Sequence, residues 1–102
     1  MFGLTKRDIE QIIAILHQYT EVDEAYIFGS RAKGNYNTGS DVDIALKGKG
    51  LTADMITRLN YLLNEETLMP YYFDVIHYDC IGNKALREHI DRVGEKLFNQ
   101  RH

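Results

Sequence analysis

Two short segments of this 102-residue chain carry residues whose types and spacing could do chemistry. Gly29-Ser30-Arg31-Ala32-Lys33-Gly34 follows the apolar run Ala25-Tyr26-Ile27-Phe28, and Ser40-Asp41-Val42-Asp43-Ile44 comes a few residues later. A Gly-Ser turn at the end of a strand, opening a short polar stretch that could start a helix, aims free backbone N–H groups at an anion. Ser30 adds a hydroxyl at the same spot. Asp41 and Asp43 stand two apart in an otherwise apolar segment, so alternation along a strand sends both to one face and Val42 and Ile44 to the other. A phosphate-binding turn feeding a pair of carboxylates is what phosphoryl transfer needs, because that chemistry rests on positioning and charge neutralisation. Each part alone has a plainer reading, since an isolated Gly-Ser is a turn and an isolated Asp-x-Asp a solvated edge or cap. Their conjunction carries the functional reading.

Two other spacings are decoys. Gly29 to Gly34 has the G-x-x-x-x-G spacing of a P-loop, but Asn35 and Tyr36 replace the Lys and Ser/Thr that would hold phosphates and metal. Gly48-Lys49-Gly50-Leu51-Thr52-Ala53 matches a loose dinucleotide fingerprint, yet the chain is too short for two mononucleotide-binding halves. That segment reads as a loop with Thr52 capping the next helix. Arg31 and Lys33 flank the phosphate turn and could reach a triphosphate, or be ordinary solvated cations.

The arrangement resembles the nucleotidyltransferases of the DNA polymerase β superfamily, specifically the small stand-alone minimal nucleotidyltransferases encoded beside HEPN-domain partners. The resemblance covers most of the chain. It rests on Gly29 and Ser30 at a strand end, Gly34 shortly after, and the Ser40-Asp41-Val42-Asp43 strand. The family's third carboxylate falls on Asp74, within Tyr72-Phe73-Asp74-Val75-Ile76. Those apolar flanks suggest an interior strand. The resemblance implies that Asp41, Asp43 and Asp74 form the catalytic and metal-binding set. It also places Gly29, Ser30, Gly34, Ser40 and Arg31 around the phosphates of ATP or another nucleoside triphosphate.

Such a set has a clear physical use. Two divalent ions about 3.5–4 Å apart can clamp the attacking and leaving oxygens, and Mg²⁺ is commonly held by one or two carboxylates with phosphates and water. If Asp74 sits on a strand adjacent to Asp43, about 4.8 Å away, it either shares a metal or takes the proton of the acceptor hydroxyl.

Composition narrows the partners. The formal net charge is −3, from 15 acidic and 12 basic residues that are interspersed, which argues against a nucleic acid held by this chain alone. No apolar run approaches the length of a membrane span, and Met1-Phe2-Gly3-Leu4 lacks the start of a signal peptide, so a cytoplasmic protein is expected. Cys80, the single cysteine, reads as a half-buried hydrophobe, and His17, His77, His89 and His102 are too dispersed for a zinc site.

The elements that must position these residues form one domain over 1–102. Thr5 caps a helix carrying Ile9, Ile12, Ile13 and Leu16, with Asp8 completing a capping box. Strands follow over 25–28 and 41–47, a helix over 53–64 with Ile56, Leu59, Leu62 and Leu63 inward, and a strand over 72–77. Asn83 then caps a last helix, Gly94 stops it, and Leu97-Phe98 form a short edge strand. The expected class is α/β or α+β, with helices on one face of a small sheet and the carboxylates on its open side. The resemblance adds that the sheet is mixed and of polymerase β type.

The resemblance implies transfer of AMP or another nucleoside monophosphate to a hydroxyl, with a tyrosine of a HEPN-domain toxin as acceptor and a hetero-oligomer as the working form. A contact-only antitoxin that binds nucleotide without transferring it, and a small-molecule enzyme of the aminoglycoside type, are the alternatives. A single small domain has no second wall to hold an acceptor, which favours a protein partner, with Tyr36, Tyr71 and Tyr78 as candidate contacts.

Overall fold

The computed structural model describes residues 3–29 and 41–99. Helix α1, Lys6–Leu16, starts where expected: the Thr5 hydroxyl accepts from the Asp8 N–H at 3.0 Å and Asp8 Oδ2 accepts from the Thr5 N–H at 3.1 Å. Helix α2, Ala53–Glu65, is capped by Thr52, and helix α3, Lys84–Val93, by Asn83, whose side chain accepts from the Leu86 N–H. Among the described residues, four strands complete the frame: β1, Glu24–Phe28; β2, Val42–Lys47; β3, Phe73–His77; and β4, Glu95–Asn99. A 3₁₀ turn, Tyr78–Cys80, follows β3 directly.

The strands form one mixed sheet in the order β3-β2-β1-β4. β1 pairs antiparallel with β2 and with β4, while β2 and β3 run parallel. A mixed sheet in an α/β domain is therefore present, as expected. Its inner face carries Ala25 and Ile27 of β1, Val42, Ile44 and Leu46 of β2, and Phe73 and Val75 of β3. These pack against Ile12, Ile15 and Leu16 of α1 and Leu59 and Leu63 of α2. Burying so continuous an apolar layer supplies the main driving force for this fold.

The helices do not all lie on that face. Ile90 of α3 is buried with Phe28 and Ala45, the residues that alternation sends to the opposite side, so α3 covers part of the carboxylate face. The expectation of a fully open face is corrected accordingly: Phe28 and Ala45 are apolar outward positions, and α3 covers them. Gly94 does end α3, though without a left-handed turn. Its φ is −65°, its N–H donates to the Ile90 carbonyl at 2.7 Å, and a Cβ there would stand 2.5 Å from that oxygen.

A second correction concerns β3, which is an edge strand rather than an interior one. Its apolar flanks are explained by α2, which packs over Phe73 and Val75 and also supplies the missing ladder. Asn64 accepts from the Phe73 N–H at 2.7 Å and donates to the Phe73 carbonyl at 2.8 Å. Asn60 does the same for Val75, at 2.9 and 3.0 Å. Two asparagines one helical turn apart thus match two strand positions two residues apart, and the edge is closed to outside pairing. Asn64→Ala leaves both backbone groups of Phe73 without these partners, for an expected loss of about 1–3 kcal/mol. A chain of this size loses about 4–8 °C in Tm per kcal/mol. Thermal unfolding checks this, and an unchanged Tm would show that water serves the edge equally well. Among the described residues, no helix is long and apolar enough to cross a membrane.

Candidate active site

The parallel register of β2 and β3 sets Asp43 directly beside Asp74, and the antiparallel register of β1 and β2 sets Phe28 opposite Asp43. Gly29 follows Phe28, so the end of β1, the start of β2 and the start of β3 converge at one end of the sheet. Asp41 stands one residue ahead of β2 and is exposed, Asp74 is exposed, and Asp43 is half-buried between them. Three of the residues singled out by sequence for catalysis are therefore brought to one place. Ser30, Arg31, Gly34 and Ser40, with Lys33, lie outside the described residues.

Gly29 has φ +77°, the left-handed region that favours glycine. A Cβ at this position would meet Asp43 Oδ2 at 2.5 Å. The turn is thus wedged against the carboxylate, and both its backbone conformation and its lack of a side chain are used. Gly29→Ala must either rotate Asp43 or shift the turn, so transfer is expected to fall at least about tenfold. The strain adds about 1 kcal/mol of destabilisation. Parallel measurement of transfer rate and Tm tests this, and a parental rate would remove Gly29 from the site.

The electrostatics agree with the geometry. Burial raises the Asp43 pKa above the ordinary carboxylate value, the neighbouring charges of Asp74 and then Asp41 push it further up, and His89 works in the opposite direction. Among the described residues no group of three or more His, Cys, Asp or Glu side chains could by itself hold a metal ion. Asp43 and Asp74, side by side on β2 and β3 with Asp41 just ahead of β2, instead bring hard oxygen donors to one end of the sheet. That donor set fits a hard divalent cation sharing its remaining coordination with substrate phosphates.

His89 is the residue that sequence reading missed. It lies on α3, half-buried, with its ring edge-on to Phe28 at 6.3 Å between centroids. Because Phe28 is the cross-strand partner of Asp43, His89 comes close enough to Asp43 to act on its charge. The signal was its spacing, three residues after the inward-facing Leu86, but with all helices assigned to the other face it had no carboxylate to approach.

Other expectations are settled nearby. Gly48 does not offer its N–H to a phosphate, because that group donates to Asp79 Oδ2 at 2.9 Å. Cys80 is exposed, not half-buried, since it ends the 3₁₀ turn rather than a strand. Tyr71 donates to Asp8 at 3.1 Å and Tyr78 to Asp91 at 2.6 Å, so both hydroxyls have partners within the fold. Tyr36 lies outside the described residues, and among those described the large apolar side chains left exposed are Tyr61, Leu68 and Tyr72.

Comparison with known proteins agrees with this architecture. One similar solved structure is a toxin–antitoxin complex crystallised with AMP-PNP, with 21% identity over 90% of this chain and 73% of that one, at a TM-score of 0.76. Another is the tri-AMPylated Shewanella oneidensis HEPN toxin in complex with its MNT antitoxin, with 18% identity over 95% and 74% and a TM-score of 0.72. A third is the toxin–antitoxin MntA–HepT, with 18% identity over 94% and 74% and a TM-score of 0.71. At these identities the likeness is one of fold. Among curated proteins, none matches the chain. The family model described as "Polymerase beta, Nucleotidyltransferase" matches residues 10–102, nearly the whole length. With the fold, the strand register of the aspartates and that match in agreement, the chain belongs to the polymerase beta nucleotidyltransferase family.

Proposed function

We propose that this chain transfers a nucleoside monophosphate, AMP in the first instance, from a nucleoside triphosphate to a hydroxyl on a protein partner. The observation that carries the reading is the Asp43–Asp74 register beside the Gly29 turn. Asp41 and Asp43 would hold magnesium, with Asp74 either completing that set or acting as base. Bound there, the metal neutralises charge on the phosphates and orients them. The turn beginning at Gly29, with Ser30, Gly34, Ser40 and Arg31, would bind the phosphates.

As base, Asp74 takes the proton of the acceptor hydroxyl as its oxygen forms a bond to the α-phosphorus. The bond from that phosphorus to the bridging oxygen breaks, and pyrophosphate leaves. Burial and the like charges of Asp74 and Asp41 disfavour the ionised form of the half-buried Asp43. A cation held there by Asp41 and Asp43 would offset that repulsion, coupling nucleotide binding to the assembly of the charged site.

A protein acceptor is supported by the small size of the described sheet and by its likeness in fold to toxin–antitoxin complexes. The carboxylates lie at the edge of a single small sheet, and the described residues build no opposing lobe. A HEPN-domain toxin presenting a tyrosine fits that requirement, which makes the chain an antitoxin working in a hetero-oligomer in the cytoplasm. The test is incubation with ATP, Mg²⁺ and the co-expressed neighbouring helical protein, read by intact mass. One or more AMP additions on the partner, absent without Mg²⁺, is the expected result. Transfer to a free small-molecule hydroxyl with no modified partner would overturn the choice of acceptor.

A further inference from the structure

At the opposite end of β2 and β3 from the aspartates lies a second cluster of reactive side chains. Leu46 pairs with His77 in the parallel register, three residues beyond the Asp43–Asp74 pair, or about 10 Å along the strands. His77 Nε2 is 2.8 Å from the Gly48 carbonyl oxygen and 3.2 Å from Asp79 Oδ2. Both neighbours are acceptors, so Nε2 carries the hydrogen and donates. In the neutral form of the ring, Nδ1 is then the nitrogen without a proton. Nδ1 faces the Cys80 sulfur at 3.2 Å, within reach of the thiol proton.

The three groups differ in exposure in a useful way. The His77 side chain is 11% exposed and held on its far side by the Gly48 carbonyl and Asp79, whereas Cys80 stands in solvent. Asp79 is fixed in turn, because its Oδ2 also accepts the Gly48 N–H. A thiol within reach of an imidazole whose tautomer is set by a third group is the arrangement that activates a cysteine nucleophile.

The geometry points to Cys80 as a site of reversible thiol–disulfide exchange, activated by His77 and directed at low-molecular-weight disulfides. The Cys80 proton passes to His77 Nδ1, and the thiolate attacks one sulfur of the disulfide. A new Sγ–S bond forms as the old S–S bond breaks, and the departing thiolate recovers the proton from His77. One thiol is consumed and one released, so no further oxidant is needed. The imidazolium formed on the way keeps its Nε2–H between the Gly48 carbonyl and the Asp79 carboxylate, which stabilise its charge. Nucleotidyl transfer gives this cluster no task, and the reaction is independent of the aspartates.

Cys80 is the single cysteine, so any thiol reaction reports on it alone. The experiment follows mixed-disulfide formation with a chromogenic aromatic disulfide and with oxidised glutathione at pH 7, in native protein and in the same chain unfolded in urea. The native thiol is expected to react at least about tenfold faster than the unfolded one. His77→Gln keeps an amide donor for the Gly48 carbonyl while removing the base, and is expected to bring the native rate down to the unfolded one. A native rate no greater than the unfolded rate overturns the proposal, as does a His77→Gln variant with native circular dichroism and parental reactivity. If that variant does not fold, the comparison of native with unfolded chain decides alone.

Discussion

Replacing Asp43 with asparagine is expected to abolish nucleotidyl transfer while making the nucleotide-free chain more stable. The two effects have one cause. Burial and the charges of Asp74 and Asp41 raise the Asp43 pKa, so the folded state holds this proton more tightly than the unfolded chain does. The stabilisation from a raised pKa is complete below the unfolded value and is lost as pH rises through the folded value. At neutral pH the ionised Asp43 therefore weakens the fold. Asparagine keeps the shape without the charge. Solvent around the half-exposed side chain moderates the gain, and a rise in Tm of about 2–5 °C is expected.

The Tm difference between the variant and the parent should shrink as pH falls from neutral toward the ordinary Asp pKa, because the parent then becomes protonated at the same site. Transfer should fall by about a thousandfold or more, or about 4 kcal/mol in barrier. Mg²⁺ with ATP should raise the parent's Tm and leave the variant's nearly unchanged. An active variant, or one less stable than the parent at pH 7, would show that Asp43 is a structural residue. The combined outcome separates a functional carboxylate, retained at a cost in stability, from one that simply satisfies the fold.

Much of this site was legible because it depends on local rules. Thr5 with Asp8, Thr52 and Asn83 announce their helices by capping chemistry, and each cap is made. The alternation of Val42, Asp43 and Ile44 assigns faces without any knowledge of the neighbours. What escaped reading depends on tertiary placement. Apolar flanks around Asp74 suggested an interior strand, but Phe73 and Val75 are buried by α2, and Asn60 and Asn64 stand in for the absent neighbour. An asparagine in an amphipathic helix gives no sign that it will act as half of a ladder.

The side of the sheet taken by α3 was likewise not written in its periodicity. Leu86 and Ile90 say that the helix has an apolar face, not which face of the sheet it meets. The clue lay elsewhere, in Phe28 and Ala45, outward positions too apolar to be left in water. Once α3 is placed there, His89 comes close enough to Asp43 to act on its charge and ceases to be one of four scattered histidines. Cys80 and His77 are close in sequence, yet only the 3₁₀ turn after β3 brings the thiol back onto the ring.

The edge position of β3 also sharpens the expectation for Asp74. An interior strand would have put a neighbouring strand on both sides of this carboxylate, whereas at the edge Asp43 flanks it on one side and, among the described residues, its side chain is exposed. An acceptor can therefore approach Asp74 from the side away from the nucleotide, as a base requires. Asp74→Asn is expected to lower kcat about 10²–10⁴-fold, with the affinity for Mg²⁺ and ATP changed less than about threefold, since a base acts in the transition state and not in the ground state. Asn60 and Asn64 hold β3 by its backbone, so the substitution leaves the edge ladder intact, and a Tm no lower than the parent's is expected. Calorimetric titration of ATP with Mg²⁺, set beside the rate of AMP transfer to the partner, distinguishes the possible roles. Loss of transfer with retained binding identifies the base, whereas parallel loss of both identifies a third metal ligand. A variant that transfers AMP at the parental rate would show that two carboxylates, Asp41 and Asp43, suffice for the chemistry.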